Sequence, residues 1–283
     1  MTELCNILTV DVEDWFQSEG YAAAIPQAKW DDCELRVQAN VDRLLELFSE
    51  KNASATFFVL GWVAERLPDM VRRIAGEGHE IASHGWSHTP LWRLSRDEFA
   101  DEVRRSKQLL EELSGYSISG YRAPTFSITE KTLWGIDVLE ENGYLYDSSI
   151  FPVYHDRYGI PSAPLEIHRR SNLIWEIPLS VLDIGSLRLP VAGGGYFRLY
   201  PSVMTLHAIR KMNFLGRPAV VYVHPWEFDP GQPKVPGMGL VATFRHHVGI
   251  ARNLRKLAKL LDTFPFAPAR DVLREQMKGT VTS

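Results

Sequence analysis

Two histidines four residues apart, His84 and His88 in SHGWSH, are side chains that could bind a metal. An HxxxH spacing alone is weak evidence, so partners must come from elsewhere in the chain. The stretch DVED supplies three carboxylates, Asp11, Glu13 and Asp14. Two neutral imidazoles with one carboxylate are a common ligand set for catalytic zinc, and the fourth position is left to water. These residues predict a mononuclear metal site.

Two further ionisable residues, Arg122 in YRAP and His224 in VYVH, also follow apolar runs. A second carboxylate beside the metal could take a proton from water, and a histidine on the opposite side could protonate a leaving group. An arginine could orient the carboxylate that acts as the general base. A metal that polarises a carbonyl oxygen completes a set suited to hydrolysis of an amide or ester.

The elements that must position these side chains alternate between strands and helices. Short apolar runs predict strands at 6–12, 55–61, 79–83, 119–124, 173–179 and 219–224. Apolar residues at helical spacing predict helices at 37–48, 67–76, 95–113, 129–143 and 244–262, and the stretches 152–172 and 183–200 are predicted loops. Strand–helix alternation favours a parallel sheet or barrel, whose active sites lie at the carboxyl ends of the strands. Asp11, His84, Arg122 and His224 all occupy such ends.

Composition narrows the class of protein. The chain has 283 residues and a net charge of −4, without the basic excess of a nucleic-acid-binding protein. No apolar run approaches the ~18 residues of a membrane span. The first residues lack the basic and apolar regions of a secretory signal, and the two cysteines, Cys5 and Cys33, form no CxxC pair. We expect a cytoplasmic protein with no nucleic-acid partner and no transmembrane segment.

Four motifs in this order carry a family resemblance: TVDVED (9–14), SHGWSH (83–88), YRAP (121–124) and VYVH (221–224). Together they resemble the polysaccharide deacetylases of the NodB homology family. DVEDWF, GGGYFRLYP (193–201), HPWEFDP (224–230) and FRHH with the helix after it resemble the subgroup associated with exopolysaccharide production and exosortase sorting. The resemblance implies an α/β fold, an irregular (β/α) barrel with fewer than eight strands. It places a deacetylase domain at 1–230 and a C-terminal helical extension at 231–283.

The resemblance also implies roles for individual residues. Asp11 matches the catalytic base, Arg122 the arginine that pairs with it, and His224 the general acid. His84 and His88 match the metal ligands, and Asp147 matches an aspartate that orients the acid. The metal is one divalent cation, with Zn²⁺ expected first and Co²⁺, Mn²⁺ or Ni²⁺ as alternatives.

Two positions depart from the family pattern. Asp11 is followed by Val12 rather than a second aspartate, so the carboxylate ligand is Glu13 or Asp14. Residues 11 and 13 of an extended strand face the same side, which favours Glu13. A turn after Val12 would favour Asp14 instead. Tyr222 stands where the family has a leucine that lines the acetyl pocket, which puts the size of the acyl group in question.

Several other residues have both a functional and a structural interpretation. The candidates for contact with the substrate are Trp86, Phe126, Tyr196, Arg198 and Tyr222, and the amide near Thr125 or Phe126 is a candidate oxyanion donor. His79 is expected to be structural or solvated, and His246 and His247 to lie at the surface. The helix at 244–262 has a basic face that is either solvated or in contact with an anionic membrane surface or a lipid-linked saccharide: Arg245, Arg252, Arg255, Lys256 and Lys259.

The predicted function is metal-dependent N-deacetylation of an N-acetylated sugar in an exopolysaccharide or its precursor, with release of acetate. One alternative is a hydrolase of a small cyclic or linear amide on the same scaffold. A second is a non-catalytic saccharide-binding protein. An open groove would favour the saccharide over the small amide.

Overall fold

The computed structural model describes residues 4–185, 187–236 and 239–281. Its strands are β1 (Asn6–Val12), β2 (Thr56–Val59), β3 (Glu80–Ser83), β4 (Gly120–Tyr121), β5 (Tyr146–Asp147), β6 (His168–Arg169), β7 (Trp175–Glu176), β8 (Val181–Ile184), β9 (Leu187–Pro190), β10 (Val220–Val223) and β11 (Phe266–Ala267).

The α-helices run between these strands and over their outer side. They are α1 (Val37–Glu50), α2 (Gly61–Arg66), α3 (Pro68–Gly76), α4 (Arg96–Ser114), α5 (Trp134–Glu141), α6 (Gly194–Leu199), α7 (Ser202–Phe214), α8 (Leu240–His247), α9 (Ile250–Leu261) and α10 (Ala269–Val281). Among the described residues, none of the helices has the length and apolar character needed to cross a membrane.

Within the described residues the main sheet has the strand order β10-β1-β2-β3-β4-β5-β7-β6. Every pairing from β10 to β7 is parallel, and only β6 is antiparallel to its neighbour. The seven parallel strands from β10 to β7, with helices on the outside, form a curled half-barrel. The predicted irregular (β/α) barrel is confirmed, although β6 and β11 bring the sheet of the described residues to nine strands.

The strand period of two separates the two sides of this sheet. On β2, Phe57 packs outward in the helix-covered core, whereas Phe58 belongs to the inner cluster with Tyr146 and Tyr222. On β1, Leu8, Val10 and Val12 likewise face the outer core. The inner side of β1 is therefore left to the odd-numbered positions, including Asp11.

Several elements differ from the sequence predictions. The apolar run 173–179 pairs only at Trp175–Glu176, and the predicted loop 183–200 contains the β8–β9 hairpin and α6. The predicted extension 231–283 is not purely helical, because β11 pairs with the start of β1. Its boundary at residue 230 stays a prediction. Helix α4 begins with a capping box of Ser95 and Glu98.

The single helix predicted at 244–262 is two helices, α8 and α9. Gly249 separates them with a left-handed φ of +76°. A Cβ at this position would lie 2.5 Å from the carbonyl oxygen of Arg198. The break therefore depends on a residue without a side chain, and it brings the end of α8 against α6.

Replacing Gly249 by Ala is expected to lower the free energy of unfolding by about 2–4 kcal/mol, because both the positive φ and the contact with Arg198 become unfavourable. Gly216→Ala is the matched control. Its φ is +73° with no atom within 4 Å of the added Cβ, so we expect a cost of about 1–2 kcal/mol. Urea unfolding followed by tryptophan fluorescence measures both. Equal costs would contradict the close approach at Gly249.

Candidate functional site

The parallel register brings the predicted site residues to one edge of the sheet. Val10 is level with Val223, so His224 follows β10 beside Asp11. Ser83 is level with both Val59 and Tyr121, so the next residues of β3 and β4 are His84 and Arg122. Side chains that are far apart in sequence therefore meet because each stands at the same step past its strand.

Arg122 and Asp11 form a buried ion pair at the centre of this edge. The Nη1 atom of Arg122 is 2.7 Å from Oδ1 of Asp11 and 2.7 Å from Oγ1 of Thr9. Its Nε and Nη2 atoms donate to the carbonyl and hydroxyl of Ser148, each at 2.9 Å. The guanidinium is fully buried, 4.2 Å from the ring centre of Phe58. Asp11 is thus held through one oxygen, and the other is free to act.

Glu13, His84 and His88 form a cluster in which the three potential ligand atoms lie within 4.8 Å of one another. The Nδ1 atom of His84 lies 2.8 Å from the carbonyl oxygen of Arg122, which leaves its Nε2 for a metal. Oε2 of Glu13 is 2.7 Å from Nε2 of His88, and Oε1 accepts a 2.9 Å hydrogen bond from the indole of Trp226. Each ligand candidate is therefore oriented by a neighbour.

The protonation states in this cluster suit a divalent cation. Burial lowers the pKa of His84 to about 4, so its imidazole is neutral. Burial alone would raise the pKa of Glu13, but the imidazoles of His88 and His224 lower it below its ordinary value. Metal ligands must be neutral imidazoles and ionised carboxylates. The neutral imidazole of His84 and the ionised carboxylate of Glu13 are donors of this kind.

Asp14, the other carboxylate considered for the metal, is engaged elsewhere. Its Oδ1 accepts the amide of Trp15 at 2.8 Å, and its Oδ2 accepts the amides of Arg36 and Val37 at 2.7 and 2.8 Å. Burial raises its pKa to about 6. Asp14 caps the chain turn after β1 and the start of α1. The structure therefore places Glu13, and not Asp14, with the two histidines, as the strand period favoured.

His224 stands across the site from His84. Its Nε2 lies 3.9 Å from Oδ2 of Asp11 and 3.7 Å from Oε1 of Glu13. Its Nδ1 lies 3.3 Å from Oε1 of Glu227, whose other oxygen accepts the main-chain amide of His224. Burial alone would lower the pKa of His224, but Glu227, Glu13 and Asp11 together raise it to about 9. The imidazole is protonated at neutral pH, as a general acid must be.

Asp147 does not orient His224, contrary to the role implied by the resemblance. Its carboxylate accepts hydrogen bonds from the hydroxyl and amide of Ser149, at 2.5 and 3.2 Å, and it lies beside Glu176. It is fully buried at the end of β5, where burial raises its pKa to about 6. Glu227 contacts the acid instead. The motif HPWEFDP contained this residue three positions after His224, but the sequence alone gave it no role.

A cavity of about 160 Å³ lies between these groups, lined by Asp11, Glu13, His84, His88 and His224. The chain from Ala123 to Phe126 forms one side, where Thr125 and Phe126 both have left-handed backbones, with φ of +57° and +52°. The amide of Phe126 donates to Ala123, whereas that of Thr125 stands in the first turn of a 3₁₀ segment, without an acceptor within it. Thr125 is therefore the better of the two oxyanion candidates.

Comparisons with known proteins agree with this geometry. Residues 28–146 match the family model described as polysaccharide deacetylase, and residues 148–274 match a domain of unknown function, DUF3473. The likeness to polysaccharide deacetylases is therefore shown for residues 28–146. The first match contains His84, His88 and Arg122, and the second contains His224 and Glu227. One sheet holds strands from both segments.

Individual relatives cover part of the chain. A peptidoglycan-N-acetylglucosamine deacetylase of Bacillus cereus is 32% identical over 118 residues, which are 38% of this chain and 43% of that protein. The chain spans less than half the length of the curated relatives it matches. Their names show what this chain is similar to.

Solved structures show the fold. A Mycobacterium smegmatis structure described as a polysaccharide deacetylase has a TM-score of 0.61 at 23% identity, and covers 99% of this chain and 93% of that one. A CE4 family pseudoenzyme from Bacillus anthracis has a TM-score of 0.51 at 12% identity, with coverage of 96% and 66%. The fold alone therefore does not establish activity, and the site geometry must carry the functional argument.

Four of the predicted substrate residues, Phe126, Tyr196, Arg198 and Tyr222, line a second cavity of about 440 Å³, together with Tyr158 and Phe244. We call it the aromatic groove. It shares Phe126, Tyr158, His224 and Trp226 with the smaller cavity, so the two adjoin each other. Tyr222 packs over Gly193, where a Cβ would lie 2.0 Å from the ring. The glycine run thus makes room for the tyrosine that replaces the family's leucine.

Trp86 and Arg198 are placed differently from the predicted substrate contacts. The ring of Trp86 packs against Gly61 and under the guanidinium of Arg105, 4.0 Å away, and it does not line either cavity. Arg198 borders the aromatic groove, but its Nε donates to Glu227 at 3.0 Å. Its Nη1 donates to the carbonyls at positions 246 and 248. Its guanidinium supports Glu227 instead of being free to meet a sugar.

The remaining histidines divide in a way the sequence only partly predicted. His79 is structural, because its Nδ1 accepts the amide of Ala55 at 3.2 Å and its ring packs on Phe57. The prediction that His246 lies at the surface is wrong. Its ring is buried between Trp226 and Tyr21, stacked on both. The rings that bury His246 come from Tyr21 and Trp226, so the residues next to His246 in the sequence did not indicate its burial.

The geometry predicts different outcomes for the neighbouring carboxylates Glu13 and Asp14. Glu13→Gln is expected to weaken Zn²⁺ binding at least about 100-fold, because it removes a charged ligand. Asp14→Asn should bind Zn²⁺ within a few-fold of wild type and should lower the free energy of unfolding by about 1–2 kcal/mol, because it weakens a cap. Competition with a chromophoric chelator measures the first effect and urea unfolding the second. Loss of Zn²⁺ binding in the Asp14 variant alone would contradict this ligand set.

Proposed function

We propose that this protein is a metal-dependent N-deacetylase that hydrolyses the acetamido group of an N-acetylated sugar in an exopolysaccharide or its precursor and releases acetate. One observation carries the proposal. Asp11, held by Arg122, and protonated His224 face the same small cavity as the cluster Glu13, His84 and His88. This cavity therefore joins a base, an acid and a metal-binding set.

The metal site fits Zn²⁺, with Co²⁺, Mn²⁺ or Ni²⁺ as alternatives, held by Glu13, His84 and His88. When bound, such a cation polarises a carbonyl oxygen and lowers the pKa of water. Glu13, His84 and His88 would hold it on one side of the cavity.

The chain's own residues then have distinct tasks. Oδ2 of Asp11 takes the proton of the attacking water, while Arg122 keeps the carboxylate turned to the cavity. The amide of Thr125 donates to the oxygen that becomes negative as the carbonyl carbon turns tetrahedral. His224 gives its proton to the departing nitrogen, and the products are acetate and a free amino sugar.

The shape of the site supports a saccharide over a small amide. The small cavity adjoins the aromatic groove, where the partly exposed ring of Tyr196 offers an apolar face to a sugar. A small cyclic or linear amide would have no use for this second space. The exopolysaccharide substrate is supported by the subgroup resemblance of GGGYFRLYP and HPWEFDP. Location in the cytoplasm stays a prediction.

Replacing the base or the acid tests the reaction. Asp11→Asn and His224→Gln are each expected to lower kcat for acetate release from N-acetylglucosamine oligomers by about 10²–10⁴-fold. His207→Gln is the matched control, because His207 is exposed on α7 and lines neither cavity. Acetate is measured by a coupled enzymatic assay on the metal-loaded protein. Unchanged kcat in both site variants would rule out this mechanism.

Glu227 is expected to act as a positioning residue for His224. Glu227→Gln should lower kcat by about 10–100-fold with little change in KM, because the acid loses its orientation and its charged partner. Asp147→Asn should change kcat by less than about threefold, since Asp147 does not contact His224. Steady-state kinetics of acetate release compare the two variants, with the folded fraction checked by circular dichroism. The reverse ranking would restore Asp147 as the orienting residue.

A further inference from the structure

A third cavity, of about 820 Å³, adjoins the aromatic groove on the C-terminal segment. The two share Arg198, Leu199 and Val248 as lining residues. Its far side is formed by α9, and four basic side chains of this helix line it: Arg252, Arg255, Lys256 and Lys259. We call it the cationic groove. A surface of one charge therefore lies next to the aromatic groove, which itself adjoins the catalytic cavity.

The charged side chains that line the cationic and aromatic grooves are mostly positive. Of the described residues that line the cationic groove, none is acidic. In the aromatic groove the lining includes Arg157 and Arg245, and Glu227 is its one carboxylate among the described residues. Glu227 is fully buried and already contacts Arg198 and His224. The positive charges of the two grooves are therefore not balanced by carboxylates among the described lining residues.

The cations also lack partners. Within the described ranges, no carboxylate oxygen lies within 4.0 Å of the exposed side chains of Arg157, Arg245, Arg252, Arg255 or Lys259. Some surface arginines elsewhere are paired, as Arg66 is with Asp31 and Arg104 with Asp101, whereas others, such as Arg43, contact no described carboxylate. Segregation of unpaired cations beside the site contrasts with a chain whose net charge is −4.

Electrostatic repulsion between neighbouring basic side chains destabilises helix α9. Arg252 and Arg255 are three residues apart, and Arg255 and Lys259 are four apart, so like charges are neighbours on one face. The sequence IARNLRKLAKLL offers no acid to offset them. Lys256 instead turns its ammonium to the main-chain carbonyls of Phe197 and Tyr200. A ligand anion would compensate the repulsion on this face.

We propose that the substrate is an acidic saccharide, in which sugars next to the N-acetylated one carry carboxylates that bind Arg157, Arg245 and the cationic groove. This deepens the proposed deacetylase function and rests on it. A guanidinium is suited to a carboxylate because its paired N–H groups match the two oxygens. Arg157 and Arg245 line the aromatic groove together with His224, which favours a chain bound across the site over a flat anionic membrane.

Binding of matched oligosaccharides tests the charge requirement. Hyaluronan and heparosan oligomers both alternate N-acetylglucosamine with glucuronate, and esterification with methyl groups removes their charge without changing the sugars. The full-length, metal-loaded protein is expected to bind the free acids about tenfold more tightly than the esters at low salt, and the difference should shrink at high salt. Fluorescence anisotropy of end-labelled oligomers measures both affinities.

Variants locate the effect. The triple variant Arg252→Gln, Arg255→Gln, Lys259→Gln should abolish most of the preference for the free acid. Arg245→Gln alone should reduce it by about two- to fivefold. Arg72→Gln on α3 is the control, because this exposed arginine lines none of the three cavities. This variant should prefer the free acid over the ester as strongly as wild type does.

Equal affinity for acid and ester, no binding of either, or a preference that survives the triple variant would overturn the proposal. So would binding to phosphatidylglycerol vesicles that depends on the same residues while the oligomers show no charge preference. Acetate release from the same oligomers separates this proposal from the deacetylase function. Charge-dependent binding without acetate release from any oligomer supports an acidic saccharide as the ligand of the cationic groove and contradicts the deacetylation reaction.

Discussion

The buried guanidinium of Arg122 is the interaction on which the rest of the site depends. It joins β1, through Thr9 and Asp11, to the segment after β5, through Ser148, and its own carbonyl orients His84. A charge buried this completely is tolerable only when every donor has a partner, and removal of one partner from such a pair costs about 3–5 kcal/mol. The proposed base, Asp11, and the candidate metal ligand His84 are therefore held in place by Arg122, which also joins β1 to the segment after β5.

A second network, built from the C-terminal half of the chain, holds the acid. Glu227 contacts Nδ1 of His224 and is itself held by Arg198, whose guanidinium also donates to carbonyls where α8 ends. Trp226 lies between the two networks, because its indole donates to Glu13 while its ring stacks on His224. The segment that matches a domain of unknown function thus supplies half of the candidate site and the groove that leads away from it.

The predictions from sequence succeeded where a local rule applied. The strand period placed Asp11 and Glu13 on one face, and Glu13 is the carboxylate found beside the histidines. They failed where a side chain's partner comes from a distant segment. Asp147 was assigned to His224 by position in a motif, yet it lies beside Glu176, which the chain brings in from β7. Arg198 was read as a sugar contact, although the chain from positions 246 to 248 folds back to claim its guanidinium.

The sequence by itself determined the alternation of strands and helices, the order of the motifs and the chemistry available at each strand end. Those features depend on residue type and on spacings of two or about four residues, which are local. Only the tertiary structure decided that Asp14 is a cap, that Glu227 contacts the proposed acid while Arg198 holds it, and that unpaired cations lie beside the aromatic groove. Asp14 and its partners on α1 are 22 and 23 residues apart, and Arg198 and Glu227 are 29 apart. The parallel register and the burial of charge set those contacts, and no local pattern encodes them.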